Sequence, residues 1–153
     1  MRIPERSSIS EHSACVLVVD DNDAVRRMLR FALETAGFDV VEAGTQLELQ
    51  RRLTVTRPDA LVLDLQRSHT DGLALLIRLR ARQTLCSVPI VFLAGCDDDE
   101  FRRQATCAGA DWFGVRPLRM LELQTHLRNL IRNGRQTTAH AGAAPQPGAR
   151  LSA

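Results

Sequence analysis

The chain has 153 residues, 44% of them hydrophobic, and a net charge of +2. That length supports one domain with a real core, and no apolar stretch approaches the roughly 20 residues that span a bilayer. All twenty basic residues are arginine, and residues 14–132 carry sixteen arginines against sixteen acids, so no basic footprint for nucleic acid stands out.

Residues 1–13 form a polar arm with Pro4 and no signal-peptide pattern, which reads as disordered and points to a cytoplasmic protein. A first strand is expected over 15–20. Asn22 or Asp23 caps a helix to Ala36, with Val25, Met28, Leu29, Ala32 and Leu33 on its apolar face, and Gly37 stops it. A short strand over 39–43 precedes a helix that starts at Thr45 and fades before Pro58. The third strand covers 60–64, and a loop over 65–71 leads through Gly72 into a helix with Leu73, Leu76, Ile77 and Leu79. The fourth strand covers 89–94, and Asp97-Asp98-Asp99-Glu100 opens a helix to about Cys107. A short fifth strand over 111–114 and a helix over 118–133 complete the pattern. Five strands alternating with five helices predict an α/β fold with a doubly wound parallel sheet. Residues 134–153, rich in Ala, Gly, Pro and Gln, read as a disordered tail. The four cysteines show no CxxC pairing, which argues against a zinc site or a disulfide framework.

The chemistry collects at strand ends. Val16-Leu17-Val18-Val19 ends in Asp20-Asp21, and Ala60-Leu61-Val62-Leu63 ends in Asp64. Sites in open α/β sheets form outside the carboxyl ends of the strands. If the two strands are neighbours, three carboxylates converge there. Packed carboxylates repel, so they need a cation, a shared proton or a catalytic role. A hard divalent ion with oxygen ligands, Mg²⁺ above all, fits best. Taken singly, Asp20 could be a helix cap and Asp64 a loop cap.

These residues, with Asp71-Gly72, Ala108-Gly109-Ala110-Asp111 and Arg116-Pro117 in register, make residues 14–133 resemble the receiver domain of two-component response regulators, of the chemotaxis-receiver kind. The resemblance implies a flavodoxin-like five-stranded parallel sheet of order 2-1-3-4-5. It implies Mg²⁺ held by Asp20 or Asp21, Asp64 and the main-chain carbonyl of Gln66. It implies phosphoryl transfer to Asp64 from a sensor histidine kinase or a histidine phosphotransfer protein, and a cis Arg116–Pro117 peptide. Apart from Mg²⁺-dependent self-phosphorylation and autodephosphorylation at Asp64, it implies no enzyme activity. The kinase-side surface is expected at Val25, Met28, Leu29 and Pro117. The output partner is left open, with a homodimer through the fourth helix, fifth strand and fifth helix as one possibility, and neither nucleic acid nor membrane is expected as a partner.

Two positions depart from the family pattern. Ala94 stands where a Thr or Ser hydroxyl would bond the phosphoryl group, and Arg116 stands where a Lys is usual. An ammonium and a guanidinium are not interchangeable. A weak conformational response follows, and a receiver that binds partners without switching is the alternative. Phe113 holds the aromatic switch position without a hydroxyl. Gln66 and Cys96 read as neutral spacers. A different class stays in view: Asp21-Asn22-Asp23 resembles the nucleophile motif of haloacid-dehalogenase-type phosphatases, with Asp97-Asp98 as the later acidic pair. That reading leaves Asp64 without a role, and steady turnover of a phosphate ester would favour it.

Overall fold

Val- and Leu-rich runs form the strands β1 (Cys15–Asp20), β2 (Asp39–Ala43), β3 (Ala60–Asp64), β4 (Ile90–Ala94) and β5 (Trp112–Val115). The computed structural model describes residues 12–64 and 69–140, with side chains for 12–64 and 71–134. All four strand pairings are parallel, in the order β2-β1-β3-β4-β5. β1, β3 and β4 are central and nearly continuously apolar, as a sheet covered on both faces requires.

The helices are α1 (Asp23–Thr35), α2 (Gln46–Val55), α3 (His69–Arg80), α4 (Asp99–Ala108) and α5 (Met120–His140). Side chains alternate across each strand and build two cores. Val16, Val18 and Val62 pack with Leu29 and Leu33 of α1 and Leu123 and Leu127 of α5. Leu17, Leu61 and Phe92 pack with Leu49 of α2, Leu75, Leu76 and Leu79 of α3, and Phe101 of α4. Caps fix the helix starts. The side chains of Asn22, Thr45 and Asp98 accept from the backbone N–H of Val25, Glu48 and Phe101, each at 3.1 Å. Gly109, at φ 113°, closes α4 in the left-handed conformation.

Arg80 ties the amino ends of the last two strands together. Its guanidinium donates to the carbonyls of Gly109 (2.8 Å) and Leu85 (3.0 Å) and pairs with Asp111. The Asp111 carboxylate also accepts from the backbone N–H of Ile90 at 2.8 Å.

Several boundaries differ from the sequence expectation. α3 starts at His69, so Asp71-Gly72 lies inside its first turns rather than in the loop before it. A 3-10 turn, Gln83–Leu85, went unseen because three residues carry no period. β5 is shifted one residue, to Trp112–Val115. α5 starts at Met120 and continues past Gly134 to His140, where a tail was expected. A single interior Gly costs a helix only about 1 kcal/mol. The arm over 1–11 and the segment 141–153 lie outside the described residues. Among the described residues no helix is long and apolar enough to cross a membrane.

The apolar face of α1 is narrower than its sequence suggests. Leu29, expected on the partner surface, is 1% exposed and belongs to the core, whereas Met28 is 51% exposed. Leu29→Ala should therefore cost about 2–5 kcal/mol in urea denaturation. Met28→Ala should stay within about 0.5 kcal/mol. Equal small effects would put the helix in a different rotation.

Candidate functional site

Asp20 and Asp64 are register partners in the β1–β3 pair. Neighbouring strands lie roughly 4.8 Å apart, so the two side chains leave the sheet side by side. They are 0% and 1% exposed, the two buried acids among the described residues. Asp20 Oδ1 accepts from the backbone N–H of Asn22 at 2.8 Å. Asp20 Oδ2 and both oxygens of Asp64 have no hydrogen-bond partner. Buried oxygens without partners are costly, and a site that retains them is built for something else to bind. Asp21 sits at the rim, half-exposed, and its charge bears on both buried carboxylates.

Arg116 follows β5. Its backbone N–H donates to the carbonyl of Ala94 at 2.9 Å, and the peptide bond to Pro117 is cis, as expected. Nη1 lies 2.8 Å from Asp64 Oδ1. The contact is an ion pair but lies off the direction a hydrogen bond needs, so Nη1 and Oδ1 both keep capacity for another partner.

These surroundings set the protonation. Burial, then the Asp20 charge, push Asp64 up to about 7, against the weaker pull of Arg116. Burial likewise raises Asp20, opposed first by the Asn22 hydrogen bond. Among the described residues, no three Asp, Glu, His or Cys side chains form a ready metal cage. The expected convergence of three carboxylates is thus two side by side and a third at the rim. The two still suit a hard divalent ion, because they present unpartnered oxygens in a buried acidic pair. The carbonyl of Gln66 falls in a segment, 65–68, outside the described residues.

Arg26 was not singled out by sequence reasoning. Its Nη1 donates to the main-chain carbonyl of Asp20 at 2.8 Å, and Nη2 donates to Asp23 Oδ1 at 2.7 Å. Its side chain is 15% exposed, with Glu42 beside it at 3.5 Å. Gly44 makes the room: a Cβ there would stand 2.8 Å from Nη1. The usable signal was an Arg one helical turn beyond the cap, facing a Glu and a Gly at the end of β2.

Phe113 points inward and is buried. It stacks on Phe92 with centroids 6.1 Å apart, and Phe101 meets it edge-on at 5.5 Å. The Arg102 guanidinium covers the ring at 5.0 Å and bonds Asp97 at 2.6 Å. Ala94 is buried at the end of β4, and Cys96 is exposed in the following loop. Of the residues expected to face the kinase, Pro117 is exposed and Val25 half-buried, and Phe31, not foreseen, is 73% exposed one turn from Met28. The phosphatase reading of Asp21-Asn22-Asp23 fails on geometry: Asn22 caps α1, Asp23 pairs with Arg26, and the buried acids are Asp20 and Asp64.

A parallel sheet of order 2-1-3-4-5 with an acidic pair and an arginine converging at its carboxyl edge is a signal-receiver architecture. The chain belongs to the response regulator receiver domain family, which it matches over residues 16–128. It is 38% identical over 127 residues to the KDP operon transcriptional regulatory protein KdpE of Escherichia coli K12, covering 81% of this chain and 54% of that protein. A putative response regulator from Chloroflexus aurantiacus superposes with a TM-score of 0.72 at 29% identity, over 78% of this chain and 98% of the other. The chemotaxis protein CheY4 of Vibrio cholerae shares the fold, with a TM-score of 0.71 at 24% identity, over 77% of this chain and 98% of the other. The chain spans about half the length of the curated relatives it matches. KdpE is named as a transcriptional regulator, which removes the ground for excluding a nucleic-acid output on charge balance alone.

Proposed function

We propose that this receiver domain accepts a phosphoryl group on Asp64 from a histidine kinase or a histidine phosphotransfer protein, and signals by protein contact. The observation that carries this is the Asp64 carboxylate: buried at the end of a central strand, paired with Arg116, and with neither oxygen hydrogen-bonded. Its oxygen would form a bond to phosphorus as the P–N bond of the donor breaks, and the imidazole keeps the bonding pair. Asp64 must be ionised to attack, and Arg116 at 2.8 Å favours that form.

Asp20, Asp21 and Asp64 would hold Mg²⁺, with the main-chain carbonyl of Gln66 as the further ligand that the resemblance implies, and the ion would supply charge neutralisation for the transferring oxygens. Arg26 holds the Asp20 carbonyl, and through it the turn that carries the acidic pair. The exposed Met28 and Phe31 of α1, with Pro117, offer an apolar surface for the donor. A receiver that binds without switching is the second reading, favoured by the methyl of Ala94 at the hydroxyl position.

The test is intact mass after incubation with acetyl phosphate and Mg²⁺. Wild type should gain one phosphoryl group, and Asp64→Asn should gain none. Modification of Asp64→Asn to the wild-type extent would remove Asp64 as the acceptor.

A further inference from the structure

Arg26 reaches the acidic pair through the main chain. Its Nη1 donates to the carbonyl of Asp20 at 2.8 Å. That oxygen lies in the peptide plane that joins Asp20 to Asp21, and a planar peptide turns as one body. Fixing the carbonyl therefore constrains the directions in which both carboxylates leave the chain. The guanidinium is itself held. Nη2 bonds Asp23 Oδ1 at 2.7 Å, and Nε lies 3.5 Å from Glu42 Oε1, while Arg30 bonds the other Glu42 oxygen at 2.8 Å. Gly44 closes the seat. Val19 is the register partner of Ala43 in the β1–β2 pair, which brings Gly44 beside Asp20. The Gly44 N–H donates to Glu48 at 2.7 Å, and the Glu48 N–H donates to Thr45 at 3.1 Å, so the start of α2 fixes its position. A Cβ on Gly44 would stand 2.8 Å from Nη1 and 3.2 Å from Cζ of Arg26. Both lie inside the roughly 3.5 Å of ordinary packing. Gly44 is not at positive φ, so what the glycine supplies is space rather than a special backbone conformation.

We propose that Arg26 is a positioning residue of the cation site: seated against Gly44, it orients the Asp20–Asp21 peptide and so sets the affinity of the acidic pair for Mg²⁺. This rests on the reading that these carboxylates hold the ion. The sign of the effect separates positioning from charge. The positive charge of Arg26 acts on Asp20. A cation there repels a second one, so on charge alone its removal should tighten Mg²⁺ binding. Misdirecting the ligands does the reverse. Mg²⁺ demands near-ideal octahedral geometry, and losing a group that orients a metal ligand typically costs about 10–100-fold in affinity.

The experiment titrates Mg²⁺ into the metal-free full chain by calorimetry, with the folding of each protein checked by circular dichroism. Wild type should bind. Arg26→Gln should bind roughly tenfold more weakly. Arg26→Lys keeps the charge without the fork and should fall between the two. Gly44→Ala keeps every charge and displaces only the far end of the Arg26 side chain, so it should fold as wild type does and still lose affinity. Where Arg26→Gln does not fold, Gly44→Ala decides. The double variant Arg26→Gln, Gly44→Ala should be no weaker than Arg26→Gln alone, because the seat is then already empty. Binding as tight as wild type or tighter in either single variant would overturn the proposal and leave the cation site standing. Losses that multiply in the double variant would also overturn it, since Gly44 would then act by another path. No Mg²⁺ binding by wild type would overturn the cation reading and the proposal with it.

Discussion

Asp64→Asn should stabilise the metal-free protein at pH 8, although it removes an ion pair. The sign follows from the raised carboxyl. In the unfolded chain an Asp titrates near its ordinary value of about 3.9, whereas in the fold Asp64 is pushed up to about 7 by burial and by Asp20. Below the lower value both states hold the proton and the contribution to stability is complete. Between the two the unfolded chain releases a proton that the fold retains, so stability falls as pH rises. Above about 7 the loss is complete. A separation of about three units corresponds to a loss of about 4 kcal/mol. Asn cannot ionise and escapes it. Guanidinium unfolding in EDTA at pH 5 and pH 8 should show wild type losing stability across that interval and Asp64→Asn losing much less. A variant weaker than wild type at pH 8 would mean that the Arg116 pair outweighs desolvation.

Mg²⁺ should reverse the order. A ligand that binds only the folded state adds RT ln(1 + [L]/Kd), about 2.7 kcal/mol at a concentration one hundredfold above Kd. At pH 8 wild type should gain on that scale. Asp64→Asn and Asp20→Asn should gain little, since each loses a negative charge and one carboxylate oxygen from the buried site. Asp21→Asn should also bind more weakly, because it strips charge from the rim. Melting curves with and without Mg²⁺, beside a direct titration, read the effect. Equal gains in all four proteins would place the cation elsewhere.

Much of the fold was written in the residues. Buried parallel strands need unbroken apolar runs, and the acids that end those runs mark the sheet's carboxyl edge. Once β1 and β3 are neighbours, Asp20 and Asp64 must meet, and Arg116-Pro117 follows from the register of β5 with β4. The sequence failed where a choice depends on rotation or on an absent atom. Met28 and Leu29 are equally apolar, yet only one turns inward. Ile77, one of the four apolar residues noted on this helix, is 57% exposed, whereas Leu76 and Leu79 are buried. Arg26 looked like any surface arginine until the space over Gly44 was seen.

The clamp at Arg80 gives the sheet a fixed end. By holding Gly109, Leu85 and Asp111, and through Asp111 the start of β4, it pins β4 and β5 at the edge opposite the acids. The amino ends of the two strands are therefore locked together by side chains in addition to the ladder that joins them along their length. The β4–α4 loop is tied separately, by the Asp97–Arg102 pair, while Gly95 and Cys96 within it are exposed. The end of the sheet that carries Asp64 and Arg116 is thus separated by the length of β4 and β5 from the point at which Arg80 locks the two strands together.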